Sequence, residues 1–202
     1  MPLRRLKAVQ RRQQLIEVAT RLFAQRGCDA TTTAAIAHAA GVTEPILYRH
    51  FDDKQDLFIA IIHEMSRHTL EHWRELISGI KDPAEQIRVV AQAFPAHLKR
   101  CDDAYHVIHG ALSCCRDKKV KAAMKEHYRD VEEFFSSIVR AGQASGQFNP
   151  NLDARASAWQ MINIGIGYAM VAQNLPGFGH FSVDAAIEFV LRGLSPQNKR
   201  RT

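Results

Sequence analysis

Residues 40–57 read AGVTEPILYRHFDDKQDL. A glycine and a threonine precede a short helical stretch that starts near Pro45 and ends in Tyr48, Arg49, His50 and Phe51. A buried helix does not spend three polar-tipped side chains on consecutive positions, and an ordinary surface helix has no need of Tyr48 and Phe51 beside them. The stretch is built to present something. Just upstream, TTTAAIAHAAG (31–41) supplies a second short helix, capped by Thr32 or Thr33 and ended by Gly41. Thr43 is placed to cap the next helix, with Pro45 in its first turn, where a missing N–H costs nothing. Two short helices joined by AGVT have helix-turn-helix spacing, with Ala37 and Ala40 small at the crossing. Val42 and Leu47 lock the second helix onto the first, and Phe51 anchors its end. Thr43, Glu44, Pro45, Tyr48, Arg49 and His50 are left outward or at the margin.

Working outward, apolar periodicity is helical nearly everywhere and no run alternates cleanly enough for a strand. Leu15, Ile16, Ala19, Leu22 and Phe23 form one stripe, closed by Gly27. Asp52 or Asp53 caps a long helix expected to run to Ile80. Beyond it the pattern predicts helices over about 83–100 and 104–115, a long one ending near ASGQFNPN, one from Asp153 to Asn174, a loop at LPGFGHFS, and a last one over 182–194. The expected class is all-α, about nine helices, with three short amino-terminal helices ahead of a larger helical bundle.

The bulk numbers set limits. A chain of 202 residues, 46% hydrophobic and 24% charged, buries an ordinary globular core. The net charge of +6 permits a polyanionic partner without requiring one. Basic residues gather at the amino end, where Arg4, Arg5, Lys7, Arg11 and Arg12 precede the first acidic residue, Glu17. Four cysteines match no CxxC spacing and no small disulfide scaffold, which suits a reduced compartment. The start lacks the apolar core of a secretory signal, and no run reaches the roughly 20 apolar residues a membrane span requires. A cytoplasmic location with no membrane contact is expected.

The pattern Gly27-x-x-x-Thr31-Thr32-x-x-x-Ile36-Ala37-x-x-Ala40-Gly41-Val42-Thr43-x-x-x-Leu47-Tyr48-x-His50-Phe51-x-x-Lys54-x-x-Leu57 resembles the DNA-binding signature of the tetracycline-repressor (TetR) family. The match spans about residues 10–60. It implies an all-α homodimer with an amino-terminal DNA-binding domain, here 1–53, and a carboxy-terminal domain for effector and dimer contacts, here 54–202. The sequence departs from the family pattern at Thr33, where a hydrophobic residue is common, at Ala34 and Ala35, where charges are frequent, and at Pro45-Ile46, in place of Gly-Thr. These changes touch sequence preference more than the ability to bind.

Carried over residue by residue, Tyr48 and His50 resemble the family's phosphate contacts, and Lys54 its lysine contact to phosphate. Thr32 and Thr43, beside helix amino termini, are placed to assist backbone amides in holding phosphate. Arg49 reaches either a base edge or a phosphate, and Glu44 either accepts from cytosine or caps the helix. Arg4 and Arg5 either enter the minor groove or solubilise a tail.

For the bundle, WQMINIGIGYAMVAQ (159–173) is apolar around most of its circumference and must be covered on more than one side. With AAIEFVLRGL (185–194) it suggests a four-helix dimer seam through Trp159, Ile162, Ile166, Met170, Phe189 and Val190. Trp73, Phe94, His97, Tyr105, His109, Phe134 and Trp159 lie on helices that the resemblance places around an effector cavity; at helical spacing each also reads as plain core. A mostly apolar pocket suits a hydrophobic small molecule. No cofactor is expected. His97 with Cys101, His106 with His109, and Cys114 with Cys115 invite a metal, but the spacing is poor and no metal site is assigned. The expected function is a DNA-binding transcriptional regulator, most simply a repressor that a small hydrophobic effector releases from a palindromic operator. The alternatives are an activator, a redox- or metal-responsive regulator of the same fold, or a helical-bundle enzyme, for which no catalytic motif is present.

Overall fold

A computed structural model describes residues 7–114, 116–175 and 182–196. Among these the chain forms nine helices and no strand: α1 (Ala8–Arg26), α2 (Thr33–Ala39), α3 (Glu44–Leu47), α4 (Lys54–Leu76), α5 (Pro83–Arg100), α6 (Asp102–Cys114), α7 (Lys118–Ala144), α8 (Ala154–Asn174) and α9 (Val183–Leu194). The fold is all-α, as the periodicity requires. The expected loop LPGFGHFS falls largely outside the described residues, as do Arg4, Arg5 and Cys115.

The helices group into two compact units. One contains the described residues up to Ser66 together with Cys101–Lys125; the other contains Arg67–Arg100 and the described residues from Glu126 onward.

In the first unit, α1 buries the five-residue stripe Leu15, Ile16, Ala19, Leu22 and Phe23. It stops where Gly27 takes φ 80° and returns its N–H to the Phe23 carbonyl. Thr31, fully buried, donates its hydroxyl to the Gly27 carbonyl at 2.8 Å. Of the two threonines able to cap α2, Thr32 does so, accepting from the Ala35 amide at 3.1 Å. Gly41, at φ 68°, turns the chain toward α3, and the Val42 amide closes on the Ala37 carbonyl at 2.9 Å. Asp53, not Asp52, caps α4 through the Asp56 amide at 2.7 Å. Phe23 and Phe58 tie α1 to α4 with ring centroids 5.6 Å apart, and α6 packs along α1.

Helix α4 stops at Leu76, four residues short of the expected Ile80. The backbone there tightens into turns, with the Ser78 amide on the Glu75 carbonyl and Gly79 at φ 83°.

In the second unit, Trp73 of α4 stands against Phe134 and Phe135 of α7, both at 5.4 Å between centroids. Val90, Val139, Ala158 and Leu194 complete the same core. Helix α8 starts on the expected cap, Asp153 Oδ1 accepting from the Arg155 and Ala156 amides. Ser182 caps α9 through the Ala185 amide. Where α7 turns toward α8, the Phe148 ring fills the space a side chain at Gly142 would need: a Cβ there would fall 2.1 Å from Phe148 Cδ2.

Candidate nucleic-acid interface

Helix α3 is a single turn, Glu44–Leu47, continued by turn structure through His50. Its hydrogen bonding carries the coil to the end of the motif: the His50 and Phe51 amides both reach the Leu47 carbonyl, at 2.9 and 3.1 Å. Leu47 and Phe51 face inward, 0% and 1% exposed. Burying two such side chains is worth roughly 1.5–3 kcal/mol each, which fixes the rotation of this short coil. The remaining face follows from that rotation: Pro45, Tyr48 and Arg49 are exposed and His50 is half-buried. Arg12 of α1 lies over the Phe51 ring at 4.9 Å, so a basic side chain covers the outer edge of the anchor.

Thr43 sits at the amino-terminal cap position of α3, but its side chain makes no capping bond, contrary to expectation. Glu44 does not cap the helix either. Its carboxylate accepts from the Thr33 hydroxyl at 2.6 Å, and Thr33 Oγ1 also lies 3.1 Å from the Tyr48 hydroxyl. Thr33, read from the sequence as a candidate cap and as a departure from pattern, thus joins α2 to both ends of α3. Its threonine identity was the signal; the partners, 11 and 15 residues away, were not readable.

Lys54 is engaged within the protein. Its Nζ donates to the Cys28 carbonyl at 2.8 Å and to the Thr31 carbonyl at 3.2 Å, stitching the start of α4 to the loop between α1 and α2. An ammonium engaged by two carbonyls has one donor left for any phosphate. The Arg49 amide bonds the Ile46 carbonyl at 3.3 Å, while its side chain stands exposed at the end of the motif.

The residues expected around an effector cavity divide between the units. Tyr105 and His109 are buried on α6 in the first unit, rings 5.7 Å apart. Trp73, Phe94, His97, Phe134 and Trp159 belong to the second. There His97, 3% exposed, meets the Thr69 hydroxyl at 3.0 Å and stacks on His72 at 5.2 Å. Burial lowers its pKa to about 4, reinforced by the charges of His72, Arg100 and His68. Trp73 Nε1 is buried with no hydrogen-bond partner among the described residues. Burial likewise pushes the Tyr128 phenol up to about 12.

The six residues expected at a dimer seam also separate. Ile162 is 5% exposed and packs inside the chain's own core. Trp159, Ile166 and Val190 are partly buried against that core. Met170 and Phe189 are exposed, Phe189 at 74%. Among the described residues no cluster of three histidine, cysteine or acidic side chains has metal-binding geometry. No helix among them is long and apolar enough to cross a membrane.

A buried two-point anchor, a glycine turn and an exposed row at the end of a one-turn helix define a helix-turn-helix DNA-binding protein. Residues 15–61 match the family model described as bacterial regulatory proteins, tetR family. Over 172 residues the chain is 40% identical to the HTH-type transcriptional regulator AcrR of Shigella flexneri, covering 69% of this chain and 77% of that protein. It is 27% identical over 201 residues to the HTH-type transcriptional repressor KstR2 of Rhodococcus jostii (strain RHA1), covering 93% of each. Among solved structures, Salmonella enterica GusR superposes with a TM-score of 0.79 at 20% identity, over 94% of this chain and 97% of that one, a likeness of fold. The chain belongs to the tetR family of bacterial regulatory proteins. It is a DNA-binding transcriptional regulator.

Proposed function

We propose that this regulator is a homodimeric repressor that binds a palindromic operator and is released from it by a small hydrophobic effector. The observation that carries the DNA-reading part is the contrast between Leu47 and Phe51, sealed in the core, and Tyr48, 49% exposed between them. On this reading residues 1–53 bind DNA, with Arg49 reaching a base edge and His50 a phosphate, and residues 54–202 serve the effector and the partner chain. The exposed Met170 and Phe189, on the two carboxy-terminal helices, support an apolar dimer seam. The aromatic surroundings of Trp73 favour an apolar effector carrying an acceptor for its indole N–H. Ligand that prefers one of two dimer states shifts the population off DNA.

The test is binding to duplex DNA from immediately upstream of the protein's own gene, against a shuffled duplex at matched salt. A preference of about a thousandfold or more, steep in salt, supports the operator reading. An intact dimer that binds no duplex even at low salt overturns it. Sedimentation of Phe189→Glu tests the seam separately: a monomer is expected, and an undisturbed dimer would place the interface elsewhere.

A further inference from the structure

Thr33, Glu44 and Tyr48 form a hydrogen-bonded chain whose direction is fixed from one end. A carboxylate only accepts. The Thr33 hydroxyl, 2.6 Å from Glu44 Oε1, therefore spends its single proton on Glu44. Thr33 Oγ1 then has only lone pairs to offer the Tyr48 hydroxyl 3.1 Å away, so Tyr48 donates to Thr33. The phenolic proton is consumed inside the protein. What the half-exposed Tyr48 presents outward is an oxygen acceptor, and Glu44 keeps a second carboxylate oxygen of the same polarity.

A phosphate is a poor partner for such a pair, because its oxygens accept and carry negative charge. The major-groove groups that donate are the exocyclic amines, N4 of cytosine and N6 of adenine. We propose that Thr33 is a positioning residue that holds Tyr48 and Glu44 as paired acceptors for an exocyclic amino group, so that Tyr48 discriminates a base. This rests on the reading of α3 as the DNA-contacting segment. It departs from the phosphate contact that family resemblance implies for Tyr48. The difference arises at Thr33, where a hydrophobic side chain would leave the phenol free to donate.

The experiment starts from an operator duplex selected by the wild-type dimer from a random pool. Each adenine is replaced in turn by purine, and each cytosine by 2-pyrimidinone, which deletes one amino group at a time without altering the protein. Affinities are measured for wild type, Tyr48→Phe, Thr33→Val and Thr33→Ser. One position per half-site is expected to lose roughly tenfold in affinity on amino deletion with wild type. With Tyr48→Phe the same deletion should cost clearly less, because only the Glu44 acceptor remains. Thr33→Val should shrink the penalty and Thr33→Ser, which keeps the hydroxyl, restore it. The inference is overturned if amino deletions cost nothing at every position while sequence preference persists. It is also overturned if the penalty is the same in Tyr48→Phe as in wild type. A wild-type protein with no sequence preference at all overturns both this inference and the operator reading beneath it.

Discussion

Glu132 of α7 accepts the Trp159 indole N–H at 2.7 Å through Oε2, while its Oε1 takes Arg155 Nε at 2.6 Å. One carboxylate thereby holds two positions a turn apart on α8, and Tyr128 stacks on the same indole at 6.0 Å. The bond from Arg155, then that from Trp159, holds the carboxyl below its ordinary value of 4.5. A depressed carboxylate contributes stability that is present above its unfolded value and is lost as pH falls through the folded one. Glu132→Gln should therefore lower the thermal midpoint at pH 7, and the gap to wild type should close below about pH 4.5. Thermal unfolding across a pH series checks this; a gap that stays constant into acid would rule out the charge as its source.

His97 acts in the same direction, over a higher pH window. Its folded pKa lies below the unfolded one, falling from 6.5 to about 4. Between those values the unfolded chain binds the extra proton, so stability is complete above 6.5 and declines as pH falls toward 4. The effect is at most about 3 kcal/mol, less whatever solvent screening removes. In His97→Gln, denaturant midpoints should show a flatter dependence across that window.

Gly142 and Phe148 are coupled by volume. With a Cβ falling 2.1 Å from the Phe148 ring, Gly142→Ala should cost about 1–3 kcal/mol. Phe148→Ala should cost about 3–5 kcal/mol, because the ring is 2% exposed. In the double variant the alanine methyl enters emptied space, so the two penalties should fall well short of additive. A double-mutant cycle by urea unfolding measures the coupling, and additive penalties would contradict the contact.

Lys54→Met removes the two charge-assisted bonds to Cys28 and Thr31. A loss of about 1.5–3 kcal/mol in stability is expected. A phosphate contact would instead show mainly as a salt slope reduced by about 1 in operator binding. Measuring both separates a stitch within the protein from a hand on the DNA.

Local signals were legible wherever a residue acts on its own neighbourhood. Asp153 caps the helix it was expected to cap, because a side-chain acceptor two or three residues ahead of an amide is a sequence-local device. The α1 stripe was readable for the same reason, five residues on one helical face. Contacts that were not legible have their partners far along the chain. Lys54 is engaged by carbonyls 26 and 23 residues away, and Ile162 packs in the chain's own core. Glu44 offered two local readings, a base contact or a cap, and its bond goes to Thr33 on the preceding helix. At α4 the error was one of length: apolar Ile77 and Ile80 extend the helical pattern, but Gly79 at φ 83° ends the coil.

Gly41 adopts φ 68°, yet a Cβ built there meets nothing within 4 Å. What position 41 refuses is a handedness, not a volume. L-residues resist this region of backbone space by their own chirality, and asparagine resists it least. The joint between the supporting helix and the reading helix therefore filters substitutions by torsion alone. Neutral drift there has a narrow exit through asparagine, even though the surface above the turn has room for a far larger side chain.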